Sequence, residues 1–238
     1  MALGYRINAK AGDRAEILIY EDVGEGWFGG VSAKQFAGDL KSMGEVKAID
    51  VRINSYGGDV FDGLAIYRQL ADHKARVVVH IDGVAASIAS VIAMAGDEIN
   101  IAAPAFLMIH NAWGMAVGSP EDMRSVADRL EAVSGAIADV YTARTKNPSA
   151  DVRAWMDEER WFTAAEAMEA GFVTRVVDNV ERMAASFNPQ LHKFKGMPAA
   201  LVAPVTDVTP LRNEAAETFK RMQARHHAAR MRSAVKRT

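Results

Sequence analysis

Hydrophobic and polar positions along the chain change period several times. "AEILIYEDV", Ala15 to Val23, reads as a strand. In "SAKQFAGDLKSMG" apolar residues recur at helical spacing between a good N-cap, Ser32, and a stop near Gly44, which predicts a helix. "AIDVRIN" is again a strand, and "DVFDGLAIYRQLADHK" carries Val60, Leu64, Tyr67 and Leu70 at helical spacing before "RVVVHID" returns to strand. This alternation predicts right-handed crossovers and a mainly parallel sheet.

Further on, "VVVHIDGVAASIASVIAMAGDE", Val77 to Glu98, passes from a β-branched block through a glycine into a short apolar helix with two serines near its start. Two short strands follow, "EINIA" and "AFLMIH", with a turn at Ala103-Pro104. "SPEDMRSVADRLEAVSGAIADVYTARTK" predicts a long helix, with Pro120 just inside its start and Met123, Val126, Leu130, Val133, Ile137, Val140 and Tyr141 on one stripe. A last helix, "TAAEAMEAG", ends at Gly171 and feeds the strand "FVTRVVD". Beyond Arg182 the periodicity breaks down, and four of the seven prolines fall in "ASFNPQLHKFKGMPAALVAPVTDVTP". The expected organisation is a domain over 1–182, a proline-containing linker over 183–210 and a basic helical tail over 211–238.

Half of the 238 residues are hydrophobic and 24% are charged, a globular composition able to bury a full core. The net charge of −2 gives no electrostatic argument for nucleic acid or an anionic membrane. Its distribution is uneven: from Arg212 onward eight Lys/Arg face two Glu. Cysteine is absent, which excludes thiol catalysis, thiolate metal sites and disulfides, and fits a cytosolic location. No signal peptide is visible, and no stretch reaches the roughly 18 apolar residues of a membrane span.

One motif is a decoy. "GEGWFG", Gly24 to Gly29, has dinucleotide-binding spacing, but Trp27 and Phe28 stand where a pyrophosphate would approach and no acidic residue ends the next strand, so a surface loop is expected. Other positions suit acyl transfer when taken together, although each alone also reads as structural: packed helix serines, an ordinary strand-to-helix turn, a structural strand-end histidine and a solvated carboxylate cluster. Ser87 sits near a helix start, where unpaired N–H groups favour negative charge, and the double glycine of "INSYGGD" can turn backbone N–H groups toward an oxyanion. His110 ends a strand, and Asp157, Glu158 and Glu159 precede the last helix. A serine nucleophile requires a base, an orienting group behind that base and oxyanion donors; all four roles have candidates at element ends.

"INSYGGDVFDGLAIYRQL", "GVAASIASVIAMAG", "FLMIHNAWG" and "RWFTAAEAMEAGFV", in this order, resemble the proteolytic subunit family of the Clp protease, ClpP, and its phage head maturation branch, over Ile17 to Asp178. The resemblance implies an α/β, ClpP/crotonase-type fold of repeated ββα units with a long protruding helix. It also implies a serine endopeptidase with Ser87 as nucleophile, His110 as general base, Glu159 in the third triad place and the N–H groups of Gly58 and Ile88 as oxyanion donors. Ser90 is then the packed serine. No metal or cofactor is expected. The expected partners are a protein substrate, namely capsid or scaffold protein, and further copies in a ring-like homo-oligomer, with neither nucleic acid nor membrane.

Departures from the housekeeping pattern include Tyr56 in place of proline before the glycine pair, and a glutamate where the family has aspartate. Asp157 competes with Glu159: in an extended segment a shift of two residues keeps the face but moves the group by nearly 7 Å. Little precedes the first expected strand, so the pore segment that meets an ATP-dependent unfoldase is expected to be absent or reduced. The short sequence after His110 and the basic tail resemble the phage branch, placing the expected site of action in the host cytoplasm or the procapsid. The alternatives are a crotonase-type acyl-CoA enzyme and a non-catalytic scaffold with a vestigial protease domain.

Overall fold

The computed structural model describes residues 5–10, 13–25, 30–178 and 194–202. Two compact units divide the chain, Met1–Pro198 and Ala199–Thr238. In the second, the described residues form one short helix, α7 (Ala199–Val202). The expected basic helix over 211–238 lies outside the described residues, as do Gly26 to Gly29 of the decoy loop and most of the expected linker.

The first unit is built on an eight-stranded sheet. Strand β1 (Tyr5–Lys10) pairs antiparallel with β2 (Arg14–Ile19), and β2, β3 (Ala48–Ser55), β4 (Arg76–Ala86) and β5 (Glu98–Ala102) run parallel, with β8 (Arg175–Val177) beyond. β1 is an addition to the sequence reading, which began the sheet at Ala15. The long strand β4 changes neighbour part-way. Val78 to Ile81 pair with β5, whereas Val84 to Ala86 pair with β6 (Phe106–Met108), which in turn pairs antiparallel with β7 (Trp161–Thr163). The switch falls around Gly83, where a Cβ would lie 2.7 Å from Asn54 Oδ1. "EINIA" and "AFLMIH" therefore lie beside successive parts of one strand, and the turn between them is a step from one neighbour position to the next.

The helices form where capping and period coincide. Ser32 caps α1 (Ala33–Ser42), Asp59 caps α2 (Val60–Ala71), Ser119 closes a capping box on α4 (Pro120–Thr145), and Thr163 does the same on α6 (Ala164–Glu169). The serine helix α3 (Ile88–Ala93) is short and wholly buried. In α4 the expected stripe splits: Ser134, Ile137, Ala138 and Tyr141 are buried, while Met123 near the start is exposed, so the first half of the helix stands out from the domain.

The sequence reading has no counterpart to α5 (Ser149–Asp157). This helix corrects one expectation, because Asp157 to Glu159 lie at its C-terminal end and not in an extended approach to α6. Beneath it Trp155, Phe162, Phe172 and Tyr141 form an aromatic cluster. The Arg160 guanidinium lies over Trp155 and Phe162, 5.3 and 4.7 Å from their ring centroids, and pins the turn between α5 and β7.

Candidate active site

Ser87 stands at the junction of β4 and α3, with φ 54° and ψ −132°, a conformation that non-glycine residues rarely hold and that costs on the order of 1–3 kcal/mol. The surroundings enforce it: the Ser87 N–H donates to Met108 O at 3.0 Å, and Ala86 and Ile88 on either side are buried. The bend lifts the hydroxyl out of the strand while α3 starts beneath it. Gly57 packs directly against this bend, where a Cβ would meet Ser87 Cβ at 2.8 Å.

His110 follows β6 and is buried. Its Nε2 lies 2.6 Å from Ser87 Oγ. Burial pushes the imidazole below its usual value, an effect partly opposed by Glu159. The ring is therefore neutral near pH 7, the state in which it can accept a proton. Tyr56 and Tyr141 also line the cavity around it, both pushed up by burial.

The two candidate carboxylates have different surroundings, beginning with the β6–β7 register. Phe106 faces Thr163, Leu107 faces Phe162 and Met108 faces Trp161. The Ile109 N–H continues toward α5 by donating to Arg160 O at 3.2 Å. Glu159 Oε1 lies 4.0 Å from His110 Nδ1, an ion-pair distance and longer than a hydrogen bond. Asp157 is engaged elsewhere, accepting from Asn111 Nδ2 at 2.7 Å. Glu159 has φ 52°, the second strained non-glycine backbone in the site.

The oxyanion candidates Gly58 and Ile88 line the same cavity as Ser87 and His110. Val23 donates to Gly57 O and accepts from Asp59 N, both at 2.8 Å, so the N–H of the intervening Gly58 points away from Val23. Gly58 has φ +145°, and a Cβ there would fall 2.1 Å from Val23 O. Ile88 is the first residue of α3, where the N–H has no partner within the helix. Gly58, Ser87, Ile88, His110 and Glu159 line one cavity of about 610 Å³, whose remaining wall is largely apolar and includes Val91 and Ile137. Among the described residues, no three His, Asp or Glu side chains are grouped to hold a metal ion, and no helix is long and apolar enough to cross a membrane.

This sequence matches the Clp protease family over residues 5–180. The chain belongs to the Clp protease family. Over 133 residues it is 32% identical to ATP-dependent Clp protease proteolytic subunit 1 of Mycobacterium tuberculosis, covering 55% of this chain and 66% of that one. It is 33% identical over 143 residues to the proteolytic subunit of Bacteroides thetaiotaomicron (58% and 64%) and 35% identical over 144 residues to proteolytic subunit 2 of Thermobifida fusca (59% and 70%). The chain thus spans just under two thirds of the length of the first two relatives.

Three further residues of the site were not singled out by sequence reasoning. Tyr141 donates to or accepts from Ser90 Oγ at 2.8 Å, beneath the nucleophile; its place on the apolar stripe of α4 is the only sequence signal it has. Phe194 lines the cavity, and Lys195 N–H donates to Glu159 Oε2 at 2.7 Å. Both were read as linker, and no periodic pattern marks them.

Proposed function

We propose that this chain is a serine endopeptidase working through an acyl-enzyme. The observation that carries the reading is the 2.6 Å approach of Ser87 Oγ to His110 Nε2, in a cavity shared with the N–H groups of Gly58 and Ile88. Ser87 Oγ attacks the scissile carbonyl carbon while its proton passes to His110 Nε2. Negative charge gathers on the carbonyl oxygen and is met by the two N–H groups. The C–N bond then breaks, the leaving amine takes the proton from His110, and water repeats the sequence to release the acyl group. Glu159 stabilises the imidazolium from the Nδ1 side. Further copies of the chain assemble into a ring-like homo-oligomer, as the family resemblance implies.

The biological setting we assign is processing of capsid or scaffold protein during phage head maturation, in the host cytoplasm or within the procapsid. Tyr56 before the glycine pair, the short sequence after His110 and the basic residues from Arg212 onward support it. A fluorophosphonate probe is expected to label Ser87, and Ser87→Ala to lose labelling and on the order of 10⁶ in peptide turnover with an unchanged fold. Retained proteolysis in that variant would remove the serine assignment. For the setting, the chain is expected to cleave the capsid or scaffold protein encoded beside it. Neighbouring genes of unrelated function, with no such cleavage, would overturn that part.

A further inference from the structure

Phe194 and Lys195 lie far along the chain from the other site residues, yet both main-chain polar groups of Lys195 are held at the site. Its N–H donates to Glu159 Oε2 at 2.7 Å, and its carbonyl accepts from Trp161 Nε1 at 3.1 Å. Glu159 needs such a hold. Its side chain has one more rotatable bond than an aspartate, is 24% exposed, and stops 4.0 Å from His110 Nδ1. With Oε2 tied to Lys195, Oε1 is the oxygen left facing the imidazole. A closure of about 1 Å then makes the hydrogen bond, a tightening expected when substrate binds.

The Phe194 ring touches three separate segments. It meets His110 edge-on with centroids 5.5 Å apart, stacks on Tyr56 at 6.3 Å with planes 9° apart, and meets Trp161 at 6.0 Å. The cavity beside Ser87 stays open with Phe194 in its wall. A segment that filled the substrate's place would leave no such space.

Building on the serine peptidase reading, we propose that residues 194–195 are a working part of the site: the Lys195 main chain is a positioning element for Glu159, and Phe194 forms a cavity wall that keeps water from the His110–Glu159 pair. Neither role uses the Lys195 side chain.

The test uses the full chain, a fluorogenic peptide, kcat and KM across pH, and fluorophosphonate labelling of Ser87. Lys195→Pro removes the N–H, and Trp161→Phe removes the indole donor without altering the backbone. Each is expected to lower kcat about tenfold with KM nearly unchanged, and to add little when combined with Glu159→Gln. The acid limb of kcat/KM moves down in both, because the carboxylate no longer sits firmly beside the imidazole. Phe194→Ala is expected to raise KM and move that limb up toward the ordinary histidine value, and Phe194→Leu to restore most of both. Should Lys195→Pro fail to fold, Trp161→Phe alone decides. Wild-type kinetics and an unshifted pH profile in Trp161→Phe and Phe194→Ala would overturn the proposal. A raised kcat would also overturn it, by making the segment an inhibitory strap. Failure of the peptidase reading itself looks different: Ser87 of the unaltered chain would then not react with the probe.

Discussion

Ser90 Oγ lies 2.6 Å from Ser87 O, 2.9 Å from Met108 O and 2.8 Å from Tyr141 Oη. One hydroxyl has one proton, so a Ser90 that donates to one of these two carbonyls accepts from Tyr141, linking the backbone beside the nucleophile to α4. Ser90→Ala would leave the fully buried Tyr141 hydroxyl without this partner. The expected cost is about 1–3 kcal/mol, read as a lower Tm, with activity within about tenfold of the unaltered chain. A variant as stable as the parent would show that Tyr141 finds another acceptor. Opposite the nucleophile, Glu159→Gln is expected to lose most activity and Asp157→Asn little, since Glu159 Oε1 lies 4.0 Å from His110 Nδ1 while Asp157 serves Asn111.

The pH dependence carries the same assignment. Burial lowers the His110 value and Glu159 raises it, so the acid limb of kcat/KM is expected below 6.5 and lower still in Glu159→Gln. For stability the sign is unfavourable: the folded value lies below the unfolded one, so the native state binds fewer protons and His110 destabilises the fold as pH falls through 6.5. A limb that rises in Glu159→Gln would mean that another group governs the imidazole. Ser87 and His110 each read alone as ordinary structural residues, and only the resemblance carried by the joint motifs singled them out; the structure brings their side chains to 2.6 Å. Phe194 and Lys195 were not singled out at all, because their partners lie more than thirty residues away along the chain and nothing local marks the contact.

At the scale of elements, legibility followed capping chemistry. Ser32, Asp59, Ser119 and Thr163 all make their side-chain caps, and the four helices they open were visible. Helix α5 begins at Pro148 with no side-chain cap and buries only Val152 and Met156, so it gave no comparable signal. The change of neighbour along β4 was hidden as well, since pairing partners leave no local trace in a buried parallel strand. One helix-to-helix contact is open to test. Gly63 of α2 faces Ile88 so closely that a Cβ would lie 2.1 Å from its Cγ1 and 3.2 Å from its Cβ. Alanine is favoured over glycine within a helix by about 1 kcal/mol. The overlap falls on a branched, fully buried side chain at the start of α3, and overpacking of this kind costs about 1–3 kcal/mol. Gly63→Ala is therefore expected to lower both Tm and kcat, the latter because displacing Ile88 displaces an oxyanion donor. A stabilised, fully active variant would show that α2 and α3 can separate freely.

Across the whole molecule, charge is divided by position: the chain carries −2 in all, but residues from Arg212 onward hold eight Lys/Arg against two Glu. The described residues of the candidate site all lie within the first compact unit, Met1–Pro198. On the peptidase reading, hydrolysis of a small peptide needs the cavity and its wall, whose described residues, Phe194 included, all precede the basic segment. Deleting Leu211 to Thr238 is therefore expected to leave peptide turnover within about twofold. Docking to a capsid assembly is a different matter. Electrostatic attraction reaches over roughly 10 Å at 0.1 M salt and about 3 Å at 1 M, so binding carried by the charge of this segment should weaken steeply with ionic strength and vanish on deletion. Co-sedimentation of the full and shortened chains with assembled capsid protein, across a salt series, measures both effects. A shortened chain that loses its peptidase yet still co-sediments would reverse the division of labour and make the basic segment part of the enzyme.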